Sequence, residues 1–219
     1  MDSVRKSRVV AAGADIPRAG DGDDTAALPL NIALIGFMGS GKSTVGRALA
    51  RRLDWRYVDT DARIEAVAGC DIPALFARSG EAAFRDLETR ILVGVSAGDG
   101  QVISTGGGAP LREENAAALR AAGLVVYLTA RPDVIVARTE RRAEERPLLA
   151  ERGGKDLLAH VMGLLGERAP RYQRAAHLVV DTSERTPEAI AAEIVRKAGR
   201  WQQQSEHPGK QGAQQWTRQ

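Results

Sequence analysis

The sequence predicts an α/β fold in which a parallel sheet carries helices on both faces. Short apolar runs rich in β-branched residues alternate along the chain with longer segments of helical period. The runs are almost continuously apolar, as is typical of parallel strands that are buried on both sides. With 219 residues the chain is long enough for one such domain and two tails. Ligands of these sheets bind at the carboxyl ends of the strands.

The predicted elements follow one another in a regular order. Five runs have the composition of strands, at residues 30–35, 56–58, 101–104, 124–128 and 177–180. Eight segments have the apolar period of helices, at residues 42–53, 62–68, 72–78, 81–97, 112–122, 132–141, 156–168 and 187–197. The last helix has a good start signal, because Thr186 is a cap residue and Pro187 occupies the first helical position.

Both ends of the chain lack an apolar period. Residues 1–28 are rich in Ala, Gly and Asp, and residues 201–219 are mostly polar. We therefore expect a disordered N-terminal tail and a polar C-terminal tail around one domain at residues 29–200.

The composition excludes several classes of protein. A single cysteine, Cys70, excludes an internal disulfide and suits a reducing compartment. Aromatic residues make up only 4% and the net charge is +3, which argues against a nucleic-acid-binding surface. No apolar stretch approaches the ~18 residues that span a bilayer, and the three histidines have no neighbours at metal-ligand spacing. We expect a cytoplasmic monomer without nucleic-acid or membrane partners.

The first strand leads directly into residues 36–44, whose sequence GFMGSGKST fits the pattern G-x-x-x-x-G-K-[ST]. Glycines let backbone amides turn inward around a phosphate, and the following helix adds the positive end of its dipole. Lys42 would reach the β- and γ-phosphates, and the Ser43 hydroxyl would bind magnesium. The predicted ATP contacts in this loop are Gly39, Ser40, Gly41, Lys42, Ser43 and Thr44.

The phosphate loop alone leaves the class of nucleotide-binding protein open. A GTPase would also carry an Asn-Lys-x-Asp motif and an Asp-x-x-Gly switch, and neither string occurs. Two aspartates that end strands are candidates for a second magnesium ligand, Asp59 and Asp181. Asp59 is the better candidate because a second carboxylate with an obvious use, Asp61, follows it.

Further motifs indicate a site for a second substrate. Asp59 and Asp61 end a strand, where both could face the cleft, although an aspartate there is as well explained by a helix N-cap. Arg85 and Glu88 have the three-residue spacing of a helical ion pair, which is usually a solvated surface pair. The triplet at residues 106–108 follows a strand, and three successive glycines let backbone amides approach a ligand closely.

Two arginine-rich segments follow, Glu-Arg-Pro-Leu-Leu at residues 145–149 and Glu-Arg-Ala-Pro-Arg-Tyr at residues 167–172. With them, the ordered motifs resemble those of shikimate kinases, over roughly residues 31–198. The resemblance implies a three-layer fold like that of nucleoside monophosphate kinases, with a five-stranded parallel sheet in the order 2-3-1-4-5. It also implies an acceptor-binding region at 59–94 and a mobile lid at 140–156.

The reaction implied by the resemblance is transfer of the γ-phosphoryl group of ATP to the 3-hydroxyl of shikimate, with Mg²⁺, on the route to chorismate and the aromatic amino acids. Arg85 and Arg168 would hold the substrate carboxylate, because a guanidinium matches a carboxylate. Asp61 would orient or deprotonate the attacking hydroxyl. Gly107 and Gly108 would present amides to the same ligand.

Charge neutralisation would come from Lys42, from magnesium held by Ser43 and Asp59, and from Arg146 in the lid. Arg138 or Arg185 would contact the adenine. Two alternatives stay open at this stage: a related kinase acting on gluconate or a nucleoside monophosphate, and a catalytically silent module that binds ATP to move its lid.

Overall fold

The fold is seen in a computed structural model that describes residues 28–143 and 154–206. Its strands are β1 (Asn31–Ile35), β2 (Arg56–Asp59), β3 (Gln101–Ser104), β4 (Leu124–Thr129) and β5 (Leu178–Asp181). All neighbouring strands pair in parallel, in the order β2-β3-β1-β4-β5. The predicted α/β class and the predicted strand order are therefore confirmed.

The helices of the described residues are α1 (Lys42–Leu53), α2 (Thr60–Ala68), α3 (Ile72–Ser96), α4 (Glu113–Ala122), α5 (Pro132–Ala143), α6 (Gly154–Ala175) and α7 (Pro187–Glu206). A short 3₁₀ turn at Ala109–Leu111 precedes α4. Helix α3 is interrupted at Gly80, whose backbone is not helical (φ 76°, ψ 174°). This interruption confirms the predicted break between the segments 72–78 and 81–97.

The helices form a layer on each face of the sheet. Helices α1 and α7 pack on one face, around side chains such as Leu34, Leu49 and Ile194. Helices α3 to α6 cover the other face, where Ile35, Leu119 and other apolar residues are buried. Alternate residues of one strand point to opposite faces, so both layers depend on the continuous apolar character of the strands.

A third, smaller apolar cluster lies outside the two main layers. It consists of buried Ile64, Leu75 and Phe84, with partly buried residues of α2 and α3 around them. The rings of Phe76 and Phe84 stack with their centroids 4.5 Å apart. This cluster supports the region at 59–94 that the resemblance assigns to the acceptor.

Helix α6 continues past the position where the sequence predicts its end. Pro170 lies inside the helix, and the predicted segment stops at residue 168 before that proline. The continuation buries Tyr172 and Ala175, which are 0% and 2% exposed, and the Tyr172 ring packs against Tyr127 with the centroids 5.1 Å apart. A proline inside a helix costs ~3 kcal/mol, and burying these side chains offsets that cost.

Helix α7 is also longer than predicted. The sequence places residues 201–206 in the polar tail, but α7 extends through them to Glu206. Trp201 packs against the core layer that contains α1 and α7 and stacks on His177, with ring centroids 4.8 Å apart. Leu28, at the end of the predicted N-terminal tail, packs against the same core. Residues 1–27 and 207–219 lie outside the described residues.

Across the parts of the chain that the structure describes, every helix is too short or too polar to cross a bilayer.

Candidate active site

The phosphate loop joins β1 to α1 at the carboxyl end of β1. Gly41 precedes α1 in the left-handed conformation, with φ 93°, which glycine adopts without a steric penalty. A Cβ on Gly36 would lie 2.4 Å from the carbonyl oxygen of Leu128, so the loop is packed tightly against β4. The first turn of α1 has no acidic residue and no capping side chain. The positive end of the helix therefore faces the loop without a competing carboxylate.

Lys42 folds back over this loop. Its Nζ donates to the carbonyl oxygens of Gly36 at 2.8 Å and Phe37 at 2.9 Å. The hydroxyl of Ser40 is buried without a hydrogen-bond partner in the described residues, and Thr44 is exposed in the first turn of α1. The residues that the sequence assigns to ATP thus lie together as one turn of backbone with an ammonium group beside it.

The two predicted magnesium ligands lie beside the same tyrosine. The hydroxyl of Tyr57 donates to Asp59 Oδ2 at 2.9 Å and lies next to the Ser43 hydroxyl. Burial raises the pKa of Tyr57, while hydrogen bonding to Ser104 and Ser43 opposes that shift. Asp59 is also the N-cap of α2, where its Oδ1 accepts from the amide of Asp61 at 3.1 Å. A hydroxyl and a carboxylate that share one neighbour form a donor set that suits Mg²⁺ together with phosphate oxygens.

Asp181, the other candidate ligand, caps a turn. Its Oδ1 accepts from the amide of Ser183 at 2.7 Å and from its hydroxyl at 2.6 Å. The Ser183 hydroxyl holds the pKa of Asp181 below its ordinary value. The carboxylate therefore already has a structural use at the end of β5.

The acceptor carboxylates meet at Gly106. A Cβ on this glycine would lie 2.6 Å from Asp61 Oδ1 and 3.1 Å from Glu88 Oε1. The amide of Gly106 donates to the hydroxyl of Thr60 at 3.2 Å, which fixes the start of the triplet against α2. The first glycine is thus required because it lets a carboxylate from α2 and another from α3 approach the same backbone.

Arg85 lies at the other end of the triplet. Its Nη1 would be 2.5 Å from a Cβ on Gly108 and donates to Glu88 Oε2 at 2.8 Å. Glu88 is buried, and its burial raises its pKa although Arg85 opposes that shift. On the arginine, burial would lower the pKa, but the hydrogen bond and charge of Glu88 raise it. The pair is therefore fixed against the glycine triplet and is not the solvated surface pair that the motif alone suggests.

Arg168 reaches the site from α6. Its guanidinium lies 5.7 Å from the ring centroid of Phe37, and its Nε is buried without a hydrogen-bond partner in the described residues. One turn further along α6, the Tyr172 hydroxyl donates to the carbonyl oxygen of Gly107 at 2.6 Å. A buried donor without an acceptor is unusual and points to a ligand that supplies one.

Gly107 brings the two halves of the site together. A Cβ on Gly107 would lie 3.6 Å from the carbonyl oxygen of Gly36 and 3.7 Å from the amide nitrogen of Met38. The glycine triplet therefore packs against the phosphate loop with its middle residue and against the acceptor side chains with its outer two. A donor phosphate and an acceptor hydroxyl would be neighbours in this arrangement.

The predicted adenine contacts differ in position. Arg138 donates to the carbonyl oxygen of Gly39 at 3.3 Å and to the carbonyl oxygen of Thr182 at 2.6 Å, so it lies against the phosphate loop. Arg185 instead pairs with Glu193 on α7. Arg146 and most of the predicted lid at 140–156 lie outside the described residues.

Two tyrosines of the candidate site, Tyr57 and Tyr172, were not predicted from the sequence. Tyr57 lies two residues before Asp59 on β2, and the two-residue period of a strand places both on one face. Tyr172 lies four residues after Arg168, a spacing that places both on one face of a helix. That second signal is usable only if α6 is known to continue through Pro170.

A family model described as shikimate kinase matches residues 38–198. The chain belongs to the shikimate kinase family. A shikimate kinase of Symbiobacterium thermophilum is 44% identical over 169 residues, which cover 77% of this chain and 95% of that protein.

Two solved structures agree with this assignment. A shikimate kinase from Bacteroides thetaiotaomicron has a TM-score of 0.71 at 34% identity, over 81% of this chain and 99% of that one. A shikimate kinase from Acinetobacter baumannii in complex with shikimate has a TM-score of 0.70 at 36% identity, over 78% and 93%. The predicted enzyme class, an ATP-dependent small-molecule kinase, is confirmed, and so is the predicted function of shikimate kinase.

Proposed function

We propose that the site described above transfers the γ-phosphoryl group of ATP to the 3-hydroxyl of shikimate, giving shikimate 3-phosphate and ADP on the route to chorismate. The observation that carries the proposal is the glycine triplet, which packs on the phosphate loop and seats Asp61, Glu88 and Arg85. A kinase of a small hydroxy acid needs a carboxylate for the hydroxyl and a cation for the acid group, both next to the donor phosphate.

The nucleotide half would bind ATP mainly through backbone. Amides of the phosphate loop and the start of α1 would surround the phosphates, with Gly39, Ser40, Gly41 and Thr44 in that turn. Lys42 would exchange the carbonyl oxygens of Gly36 and Phe37 for phosphate oxygens, which carry more negative charge. Arg138 is the better placed of the two adenine candidates, and an adenine contact from Arg185 stays a prediction.

Magnesium would be held by Ser43 and Asp59. Tyr57 donates to Asp59 and lies beside Ser43, which supports this donor set. When bound, Mg²⁺ would neutralise charge on the β- and γ-phosphates.

The acceptor half would bind shikimate through side chains. Arg85 is fixed by Glu88, and Arg168 carries a buried Nε without a partner in the described residues, so the two guanidiniums suit one substrate carboxylate. Gly107 and Gly108 would contact the same ligand. Asp61 would accept the hydrogen bond of the attacking hydroxyl and either orient that oxygen or take its proton.

The transition state of phosphoryl transfer is loose, so catalysis consists mainly of positioning and charge neutralisation. Lys42 would stabilise charge that develops on the transferred group, and Arg146 is proposed to add a second cation from the lid. A closed lid would also exclude water, which competes as an acceptor.

A coupled assay of ADP release tests the proposal. Purified protein with Mg-ATP is expected to release ADP on addition of shikimate, and not on addition of gluconate or AMP. Turnover with gluconate or AMP alone would assign the site to a related kinase. ATP binding without acceptor-dependent turnover would assign it to a silent module and overturn the proposal.

We further propose that the enzyme acts in the cytoplasm as a monomer. A single cysteine suits a reducing compartment. Sedimentation velocity at assay concentration tests the oligomeric state: one species at the mass of a single chain is expected, and a dimer would contradict it.

A further inference from the structure

A cavity lies at the opposite end of the sheet from the proposed active site. It has a volume of about 330 Å³ and opens between β2, α2 and the second half of α3. Arg56 and Gln101, which are paired in register, are the first residues of β2 and β3, whereas Asp59 and the glycine triplet follow the carboxyl ends of these strands. The cavity, called here the arginine groove, is therefore separate from the phosphate loop.

Three arginine residues, all exposed to solvent, line the arginine groove. Arg56 comes from β2, Arg63 from α2 and Arg90 from α3. None of the three has a carboxylate oxygen within 4.0 Å among residues 28–143 and 154–206. No acidic side chain lines the groove, so three positive charges surround one cavity without a counter-charge in the described residues.

A hydrogen bond to Gln101 holds Arg56 in place. Its Nη2 donates to the buried side chain of Gln101 at 2.6 Å, and the Gln101 amide donates to the carbonyl oxygen of Val95 at 3.0 Å. This arrangement fixes one guanidinium before any ligand binds, which reduces the entropic cost of binding. Arg56 is exposed, but this hydrogen bond restricts the positions that its guanidinium can occupy.

The wall of the arginine groove is apolar. A glycine in this wall leaves the cavity unfilled. Val58, Ile91 and Val95 line the cavity together with Gly94. A Cβ on Gly94 would meet nothing within 4 Å, so packing of the described residues does not require glycine there. Glycine is unfavourable inside a helix, and α3 would be more stable with almost any other residue at this position. The glycine leaves room in the groove.

We propose that the arginine groove binds a small organic anion that carries at least two negative charges on a compact apolar body, such as a phosphomonoester. Guanidinium groups match phosphate oxygens in geometry and charge. The volume is at the lower end of the range for small-molecule sites. Valine and isoleucine side chains would contact the apolar part of the ligand, which an inorganic ion lacks.

Amide NMR of the full chain, saturated with Mg-ADP to fill the phosphate loop, tests this site with phenyl phosphate as the probe. Saturable shifts are expected at the amides of Gly94 and Gly98, with weaker binding of pyrophosphate. The double variant Arg63→Gln and Arg90→Gln should weaken binding about tenfold or more. The matched variant Arg52→Gln and Arg196→Gln, which removes the same charge from exposed positions elsewhere, should bind as the parent does.

A third variant distinguishes binding in the arginine groove from a general effect of charge. Gly94→Leu places a helix-favouring side chain in the groove, so it should raise the melting temperature and abolish the probe-induced shifts. The proposal is overturned if phenyl phosphate moves only Gly39 and Gly41, or if the two double variants bind equally. It is also overturned if the parent shows no saturable shift at Gly94.

The chain's own acidic run at residues 21–24 is the competing occupant. Substitution of Asp21, Asp23 and Asp24 by Asn should leave the Gly94 amide unchanged without probe. If this change alone moves Gly94 and phenyl phosphate does not bind the parent, the groove holds the acidic run instead.

Discussion

The two halves of the proposed active site are built in different ways. The phosphate loop is one contiguous segment that is proposed to bind phosphate through backbone amides, and it is packed against buried strands of the main core. The acceptor half consists of side chains from α2, α3 and α6 around a glycine triplet, and much of it rests on the small cluster of Ile64, Leu75 and Phe84. The contrast predicts that changes in the acceptor half alter the acceptor or the chemical step, whereas changes in the loop alter ATP as well.

Asp61→Asn should have the largest selective effect. The amide cannot accept a proton from the attacking hydroxyl, so kcat should fall by about 10²–10⁴ while the Kd for ATP stays nearly constant. Steady-state kinetics and nucleotide titration check this. Asp71→Asn is the matched control, because asparagine caps α3 about as well as aspartate does. Equal loss of ATP affinity would show that Asp61 supports the nucleotide half or the fold.

Lys42→Met tests the contrast between the two halves by a change in the phosphate loop. The variant loses the charge that is proposed to stabilise the transferred phosphoryl group, so kcat should fall by about 10²–10³ and ATP should bind more weakly. The KM for shikimate should change little. Lys197→Met removes the same charge from a half-buried position on α7, where the lysine pairs with Glu193, and should keep full activity. A shikimate KM that rises as much as the ATP KM would contradict a division into two halves.

Gly106→Ala should change the KM for shikimate and leave the KM for ATP unchanged. Its methyl group would lie 2.6 Å from Asp61 Oδ1 and 3.1 Å from Glu88 Oε1, so both carboxylates must move. We expect the shikimate KM to rise about tenfold, with the ATP KM unchanged. Gly163→Ala, in α6 with nothing within 4 Å of the added methyl, is the control and should not affect kinetics. An unchanged shikimate KM would show that the carboxylates are not held by the triplet.

Glu88→Gln should weaken the binding of shikimate, but it should be more stable relative to the parent as the pH rises. The variant weakens the hold on Arg85, so the shikimate KM should rise several-fold. The folded-state pKa of Glu88 lies above its ordinary value of 4.5, because burial disfavours the charged form. The contribution of Glu88 to stability is therefore complete below pH 4.5 and is lost as the pH rises through the folded-state pKa.

Urea unfolding at several values between about pH 4 and pH 8 measures this effect. The parent should lose stability relative to Glu88→Gln as the pH rises. A difference that grows in favour of the parent with rising pH would show that the ion pair with Arg85 outweighs burial.

Tyr172→Phe should have the smallest effect. It removes the hydrogen bond to the carbonyl oxygen of Gly107, which costs about 1 kcal/mol of unfolding free energy and loosens the triplet. Tyr127→Phe makes the same change on the neighbouring ring, for which the described residues give no side-chain hydrogen bond, so it should cost less. Thermal unfolding of both variants checks the order. Equal losses would mean that the bond to Gly107 contributes nothing specific.

The sheet and the phosphate loop are predictable from the sequence alone, and the strand order follows from the family resemblance. These features are local: a continuous apolar run predicts a strand, and nine adjacent residues predict the phosphate loop. The residue types of the acceptor half were also predictable, since Asp61, Arg85 and the triplet lie in short motifs. Their alternatives, a helix cap and a surface ion pair, could not be excluded by spacing.

How those motifs meet depends on contacts between elements of the folded chain. Burial of Tyr172 carries α6 through Pro170, and this continuation brings the tyrosine to Gly107. Tyr57 on β2 bonds Asp59 of the same strand and lies beside Ser43 of α1, a contact that depends on how the two elements pack. Gly106 is needed because two carboxylates converge on it, a reason that no local pattern contains. Such contacts depend on packing between layers, which outweighs local propensity and is not recorded in any single segment.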